Sequence, residues 1–242
     1  MDSKKKSRIN KIVWPLYATA SLLLGCFISC RIFSSFVYKV VYVTGTSMVP
    51  TLNNTAGRSD VGLVDKSDSA IKGLKRFDII ITYYPWRDYV NEDHYVPGNA
   101  LKENAPYKVK RLIGLPGETV TINRDLSINI QTNDGKELFF DCDETTATYT
   151  ENLRLPYKRK TVNGGRINDR ARTYTLEANR YLVMGDNWDD SDDCTSIGSN
   201  QEPIYRENLV GKLTCIIGTC IPSASGSEDV SDIRYSTPKP VR

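Results

Sequence analysis

Between residues 12 and 30 the chain carries no charge, and nowhere later do its apolar positions run so long. The stretch reads IVWPLYATASLLLGCFISC. As a helix it spans about 28 Å, close to the hydrocarbon thickness of a bilayer. Pro15 falls in the first turn of such a span, where a missing N–H is tolerated. Lys4, Lys5, Lys6, Arg8 and Lys11 precede the run, and only Arg31 and Lys39 follow closely. The positive-inside rule therefore leaves residues 1–11 in the cytoplasm and carries the rest of the chain to the extracytoplasmic side. A cleaved signal peptide needs a shorter apolar core and a small-x-small exit, which CFISCRIF does not supply. LLGC faintly matches a lipoprotein cleavage site, but the apolar run continues past Cys26. Each reading exports the remainder, and an uncleaved single-pass anchor over residues 12–30 fits best. Residues 209–221, LVGKLTCIIGTCI, are too short for a second span and include Lys212.

After the anchor the pattern changes. Short, alternating, β-branched runs dominate: residues 39–43, 61–64, 77–83, 107–113, 119–122, 126–131, 138–140, 174–176, 181–184 and 209–217. Turn signals separate them, among them Pro116-Gly117, Asp134-Gly135 and Gly164-Gly165. The pattern predicts a mostly β domain over residues 31–221. Residues 85–106, which hold Trp86 and the lone His94, read as a polar surface loop. Residues 124–179 read as an insertion with a hairpin at Asn133-Asp134-Gly135. The Ser-, Asp- and Pro-rich tail, residues 222–242, is expected to be disordered.

Composition narrows the choice. The 242 residues suffice for one sizeable core. The net charge of +3 is spread among mixed signs, so nothing resembles a nucleic-acid footprint. Cys26 and Cys30 lie in the anchor, while Cys142, Cys194, Cys215 and Cys220 lie beyond it. An exported domain permits disulfides, and four cysteines allow three pairings, among which the sequence does not choose.

The candidate chemistry starts at TGTSMVPTL, residues 44–52, where Ser47 stands between Thr46 and Met48. A serine hydroxyl is a weak nucleophile until a base takes its proton. His94 sits in NEDHYVPGN with no nucleophile motif nearby, and reads as a solvated loop residue. Lysine is the other choice, but only when neutral. Its free pKa of about 10.4 must fall, and burial does this by disfavouring the ammonium. In YKVKRLIGLPGE, strand alternation places Lys108, Lys110 and Leu112 on one face and Val109, Arg111 and Ile113 on the other. Lys110 thus stands in the middle of a buried-looking strand. A third stretch, YLVMGDNWDDSDDC, runs an apolar strand into a cluster of Asp and Ser that lacks the spacing of a calcium loop. No cofactor is called for.

Taken in order, these pieces resemble the type I signal peptidase family of membrane-bound Ser-Lys proteases. Ser47-Met48-Val49-Pro50-Thr51 matches its nucleophile box, and Arg76-Phe77-Asp78 loosely matches an Arg-Gly-Asp box. Lys110-Arg111-Leu112-Ile113-Gly114-Leu115-Pro116-Gly117 matches its lysine box. Gly185-Asp186-Asn187, Ser191 and Asp193 match its last box. The resemblance implies an all-β peptidase fold, with Ser47 as nucleophile and Lys110 as general base. Ser191 would orient the lysine amine, and Asp193 would support that loop. The backbone N–H of Ser47 would give one oxyanion donor. The position where many relatives carry a hydroxyl donor is Gly45, so the second donor stays open. Phe77, Trp188 and Cys194-Thr195 depart from the pattern, and Asp193 thereby lacks the arginine that usually follows. The implied partners are exported preproteins and the lipid bilayer, with no nucleic acid. An alternative is a signal-peptidase-like assembly factor for surface structures. Retention of both Ser47 and Lys110 argues against it. A self-cleaving repressor-type protease fits poorly with the anchor.

Overall fold

The computed structural model describes residues 3–83, 107–123, 127–140, 171–187, 190–191, 193–194, 202–222 and 230–241. His94, Cys142, Trp188 and Thr195 lie outside the described residues. The chain forms two units, 1–39 and 40–242.

The first unit is a helix, α1 (Ser3–Val37), whose stretch Val13–Arg31 is long and apolar enough to cross a membrane. Pro15 lies well inside this helix rather than in its first turn, because the helix begins at Ser3. One N–H is missing there, and the Thr19 hydroxyl donates back to the carbonyls of Pro15 and Leu16.

The second unit is mostly β. Its strands are β1 (Tyr38–Tyr42), β2 (Ser59–Asp65), β3 (Ile79–Tyr83), β4 (Tyr107–Gly114), β5 (Thr119–Ile122), β6 (Ile128–Gln131), β7 (Glu137–Phe140), β8 (Arg172–Thr175), β9 (Arg180–Met184), β10 (Ile204–Tyr205), β11 (Leu209–Pro222) and β12 (Val230–Pro240). A short helix, α2 (Asp68–Lys72), is capped by the Ser67 side chain. The larger sheet runs β1-β2-β11-β3-β4-β9-β10, with β12 added against β11. The smaller runs β7-β6-β5-β8 and contains the expected hairpin, with Gly135 in the left-handed region at φ 78° that its turn requires.

Two apolar clusters cover the two faces of the β3–β4 ribbon. Ile80 and Leu112 join Val120, Ile122, Ile128 and Ile130 of the smaller sheet. Ile79 and Ile81 join Val43, Met48, Leu52 and Val64 on the opposite side. The alternation read from the sequence is therefore real burial, and it sends adjacent residues of β4 into different environments.

The tail expected to be disordered instead carries β12, antiparallel to β11. Its side chains are largely exposed, so the pairing rests on backbone bonds and on Arg58. That guanidinium donates to the hydroxyl and carbonyl of Thr219 and to the carboxylate and carbonyl of Asp232. Hydrogen bonds from Arg58 and Arg234 hold the Asp232 carboxyl below the usual carboxylate range. Pro238 and Pro240 fit an edge strand, which spares the donors that proline lacks. Cys194, Cys215 and Cys220 are free thiols.

Candidate active site

Three short segments build the site. The first is the loop after β1. Gly45 takes φ +83°, a backbone state that side chains resist, and its carbonyl accepts from the Asn53 amide. Ser47 follows, half-buried, and Met48 drops into the apolar cluster beneath it. The second segment is β4, where Lys110 is 2% exposed. The third is the loop leaving β9, residues 185–194.

This loop holds the other two together. Lys110 Nζ donates to Ser191 Oγ at 3.1 Å. Ser191 Oγ donates to Asp193 Oδ2 at 2.5 Å, and the Gly185 N–H donates to the same oxygen at 2.8 Å. All three side chains are buried. The Asn187 N–H donates to the Ser47 carbonyl at 2.9 Å, and its side-chain amide donates to the Thr46 carbonyl at 3.1 Å. The Thr46 hydroxyl bonds to the Asp190 carboxylate. Gly185 sits where these parts converge. A Cβ there would lie 2.2 Å from Ser191 Oγ and 2.6 Å from the Ser47 carbonyl oxygen. Only glycine lets the Ser47 loop and the lysine's partner come so close.

Arg111 points to the opposite face of β4. Its guanidinium grips Asp186 in a bidentate pair, Nε to Oδ1 at 2.7 Å and Nη2 to Oδ2 at 2.5 Å, with the pair fully buried. Thr51 Oγ1 donates to Asp186 Oδ2 at 2.5 Å, and Arg111 Nη1 donates to the Phe77 carbonyl at 2.8 Å. One carboxylate thus links the threonine of the serine box to β4 and to the loop after β9. Sequence reasoning gave these residues no role. The available signal was that Thr51, Arg111 and Asp186 each fall inside a chemistry-bearing box.

The Arg-Phe-Asp box braces the end of β4. Arg76 forms two bonds with the buried Glu118, whose Oε2 also accepts the Leu115 N–H at 2.7 Å. This pins the turn that ends the lysine strand. Phe77 stands where the resembling family has glycine, and it keeps a left-handed backbone at φ 70°. The ring compensates by packing edge-on against Phe140, centroids 5.1 Å apart. Cys194, next to Asp193, is fully buried, and burial pushes its thiol pKa up to about 12. It is packing material rather than a nucleophile.

Of the residues singled out from sequence, Lys110, Ser191 and Asp193 are brought into one hydrogen-bonded chain. Ser47 lies beside that chain through its carbonyl, and Gly45 gives the Ser47 loop its bend. A buried amine, a serine on a tight loop and a shared carboxylate-backed hydroxyl thus stand together on a β scaffold. The model of the signal peptidase family, peptidase S26, matches residues 16–217, and the chain belongs to this family. It is 27% identical over 207 residues to signal peptidase I V of Bacillus subtilis (strain 168), covering 85% of this chain and 98% of that protein. It is 30% identical over 190 residues to signal peptidase I P of Bacillus subtilis subsp. natto, covering 78% of this chain and 80% of that protein. A crystal structure of a signal peptidase I from Enterococcus faecalis shares 25% identity, covering 58% of this chain and 97% of that one, with a TM-score of 0.30.

Proposed function

We propose that this chain is a membrane-anchored serine endopeptidase that removes signal peptides from exported preproteins, with Ser47 as nucleophile and Lys110 as general base. The observation that carries the proposal is the buried lysine amine. It is held by Ser191, in a loop that also binds the backbone of the Ser47 segment. Burial disfavours an ammonium, and a neutral amine can accept a proton.

In this reading the amine of Lys110 takes the Ser47 Oγ proton as the oxygen attacks the scissile carbonyl. The N–H of Ser47 stabilises the oxyanion. The resulting ammonium returns the proton to the departing amine nitrogen as the C–N bond breaks. The signal peptide stays as an ester on Ser47. Water then attacks that ester, Lys110 takes its proton, and the serine hydroxyl is restored. Ser191 keeps the amine aimed through both steps. The substrate segment lies extended beside residues 107–110 and the residues before Ser47, where backbone pairing gives affinity. The anchor places residues 1–11 in the cytoplasm and the β unit on the far side, so enzyme and substrate meet in one two-dimensional layer.

The test is cleavage of a panel of exported precursors by the full chain in detergent. Wild type should release mature protein, at a rate that climbs with pH. Ser47→Ala and Lys110→Ala should each abolish it. Full activity in either variant would remove the mechanism.

A further inference from the structure

A single residue of the loop after β9 brackets Ser47. The Asn187 N–H donates to the Ser47 carbonyl at 2.9 Å, and the Asn187 side-chain amide donates to the Thr46 carbonyl at 3.1 Å. Asn187 therefore holds the carbonyls of both peptides that flank the Ser47 Cα. The Thr46 carbonyl also accepts the Val49 N–H at 3.0 Å, which closes the turn that carries Ser47. One residue earlier, Gly45 takes φ +83°, and its carbonyl accepts from the Asn53 amide at 2.8 Å. The Thr46 hydroxyl bonds to the Asp190 carboxylate, so the residue before Ser47 is tied to the β9 loop through its side chain as well.

What these bonds control lies at the other end of the Thr46–Ser47 peptide. A peptide unit is planar, and in the trans form its carbonyl and N–H point in opposite directions. Fixing the Thr46 carbonyl thus fixes the direction of the Ser47 N–H, which meets no acceptor among the described residues. That N–H is the oxyanion donor of the proposed reaction. The Asp190 bond anchors the Thr46 side chain, but a peptide can rotate between two fixed Cα atoms and turn its N–H away. The Asn187 amide resists that rotation from outside the turn. We infer that Asn187 is a positioning residue that aims the Ser47 N–H at the oxyanion; this rests on the proposed cleavage reaction. Asn187 acts through the peptide plane and takes no part in proton transfer. A donor aimed in advance needs no reorganisation as charge develops, so its effect falls on kcat rather than on KM.

The test uses the full chain in detergent, a synthetic precursor peptide with Ala at the first and third positions before the cut, and an aldehyde of the same peptide that ends at the first. Ser47 Oγ adds to the aldehyde carbonyl, its proton passes to Lys110, and the negative oxygen that results occupies the oxyanion position. Asn187→Ala should lower kcat about ten- to a hundredfold, less than outright loss of an oxyanion donor, with KM within about twofold of wild type. The aldehyde should bind more weakly by about the same factor as kcat falls. Asn187→Asp keeps the side-chain shape, but an ionised carboxylate only accepts, so it should behave like Asn187→Ala. A wild-type kcat in Asn187→Asp would mean that shape rather than the donated bond matters, and would overturn the inference. So would a kcat loss that leaves aldehyde binding unchanged, or one that merely follows the unfolded fraction in a thermal melt. Failure of wild type to cut the peptide would instead sink the underlying reaction. Those results separate the two failures.

Discussion

Lys110 and Arg111 are neighbours on one strand, both buried, and they point to opposite faces. Arg111 grips a carboxylate directly with two bonds. Lys110 donates to a hydroxyl, and that hydroxyl is committed to Asp193. The arginine cannot shed its proton in a protein, so its pair is a permanent tie among β4, Thr51 and the loop after β9. The lysine can shed its proton, and a neutral serine hydroxyl serves as a partner for either protonation state. Arg111 fixes the framework, while in the proposed mechanism Lys110 does the chemistry. The two faces of a single strand keep the tasks from interfering.

Exchanging the cation types breaks this contrast most severely. Lys110→Arg keeps most of the volume but replaces the titratable amine with a permanently charged guanidinium. We expect cleavage to fall by at least about 10³-fold, with the fold retained by circular dichroism. Measurable turnover near the wild-type rate would show that position 110 serves as a fixed charge, like its neighbour. Asp186→Ala attacks the other face. It strands a buried guanidinium and should cost about 3–5 kcal/mol of stability, read as a lower midpoint in thermal or denaturant unfolding. Any activity loss should follow the unfolded fraction.

Ser191→Ala sharpens the contrast at smaller scale. The amine loses its aim but remains in place, so we expect a loss of about ten- to a hundredfold in kcat, below that of removing the base. Ser191→Thr should restore part of it. A merely structural role would move stability without this rescue of kcat.

The legible parts of this molecule were those that a short window of sequence contains. The anchor, the hairpin at Asp134-Gly135 and the inward phase of Lys110 each follow from local spacing. The Thr51–Asp186–Arg111 tie does not, because its members lie 135 and 75 residues apart along the chain. Nothing in the period of β4 says that Arg111 meets a carboxylate. The tail misled for a different reason. Its composition lacks the apolar residues that mark a core strand, yet β12 needs only the backbone of β11 and the Arg58 clamp. Strand ends also differed where geometry intervened: the run expected from residue 77 begins at Ile79, because Phe77 adopts a left-handed turn.

Phe77 gives the finest test, because it belongs to the arginine side through its carbonyl. Two effects oppose one another there. Replacing Phe77 with glycine relieves a left-handed backbone worth about 1–2 kcal/mol. It also removes a buried ring packed on Phe140, a truncation that costs about 3–5 kcal/mol in a core. The ring should win, with Phe77→Gly less stable by about 2 kcal/mol. The φ of 70° and the carbonyl bond to Arg111 should survive, so kcat on the remaining folded enzyme should stay close to wild type. A more stable glycine variant would mean that the phenyl ring strains the turn more than it fills the core. A selective drop in kcat at unchanged stability would mean that the arginine face reaches the chemistry after all, and that the division between the two faces of β4 is less complete than the hydrogen bonds indicate.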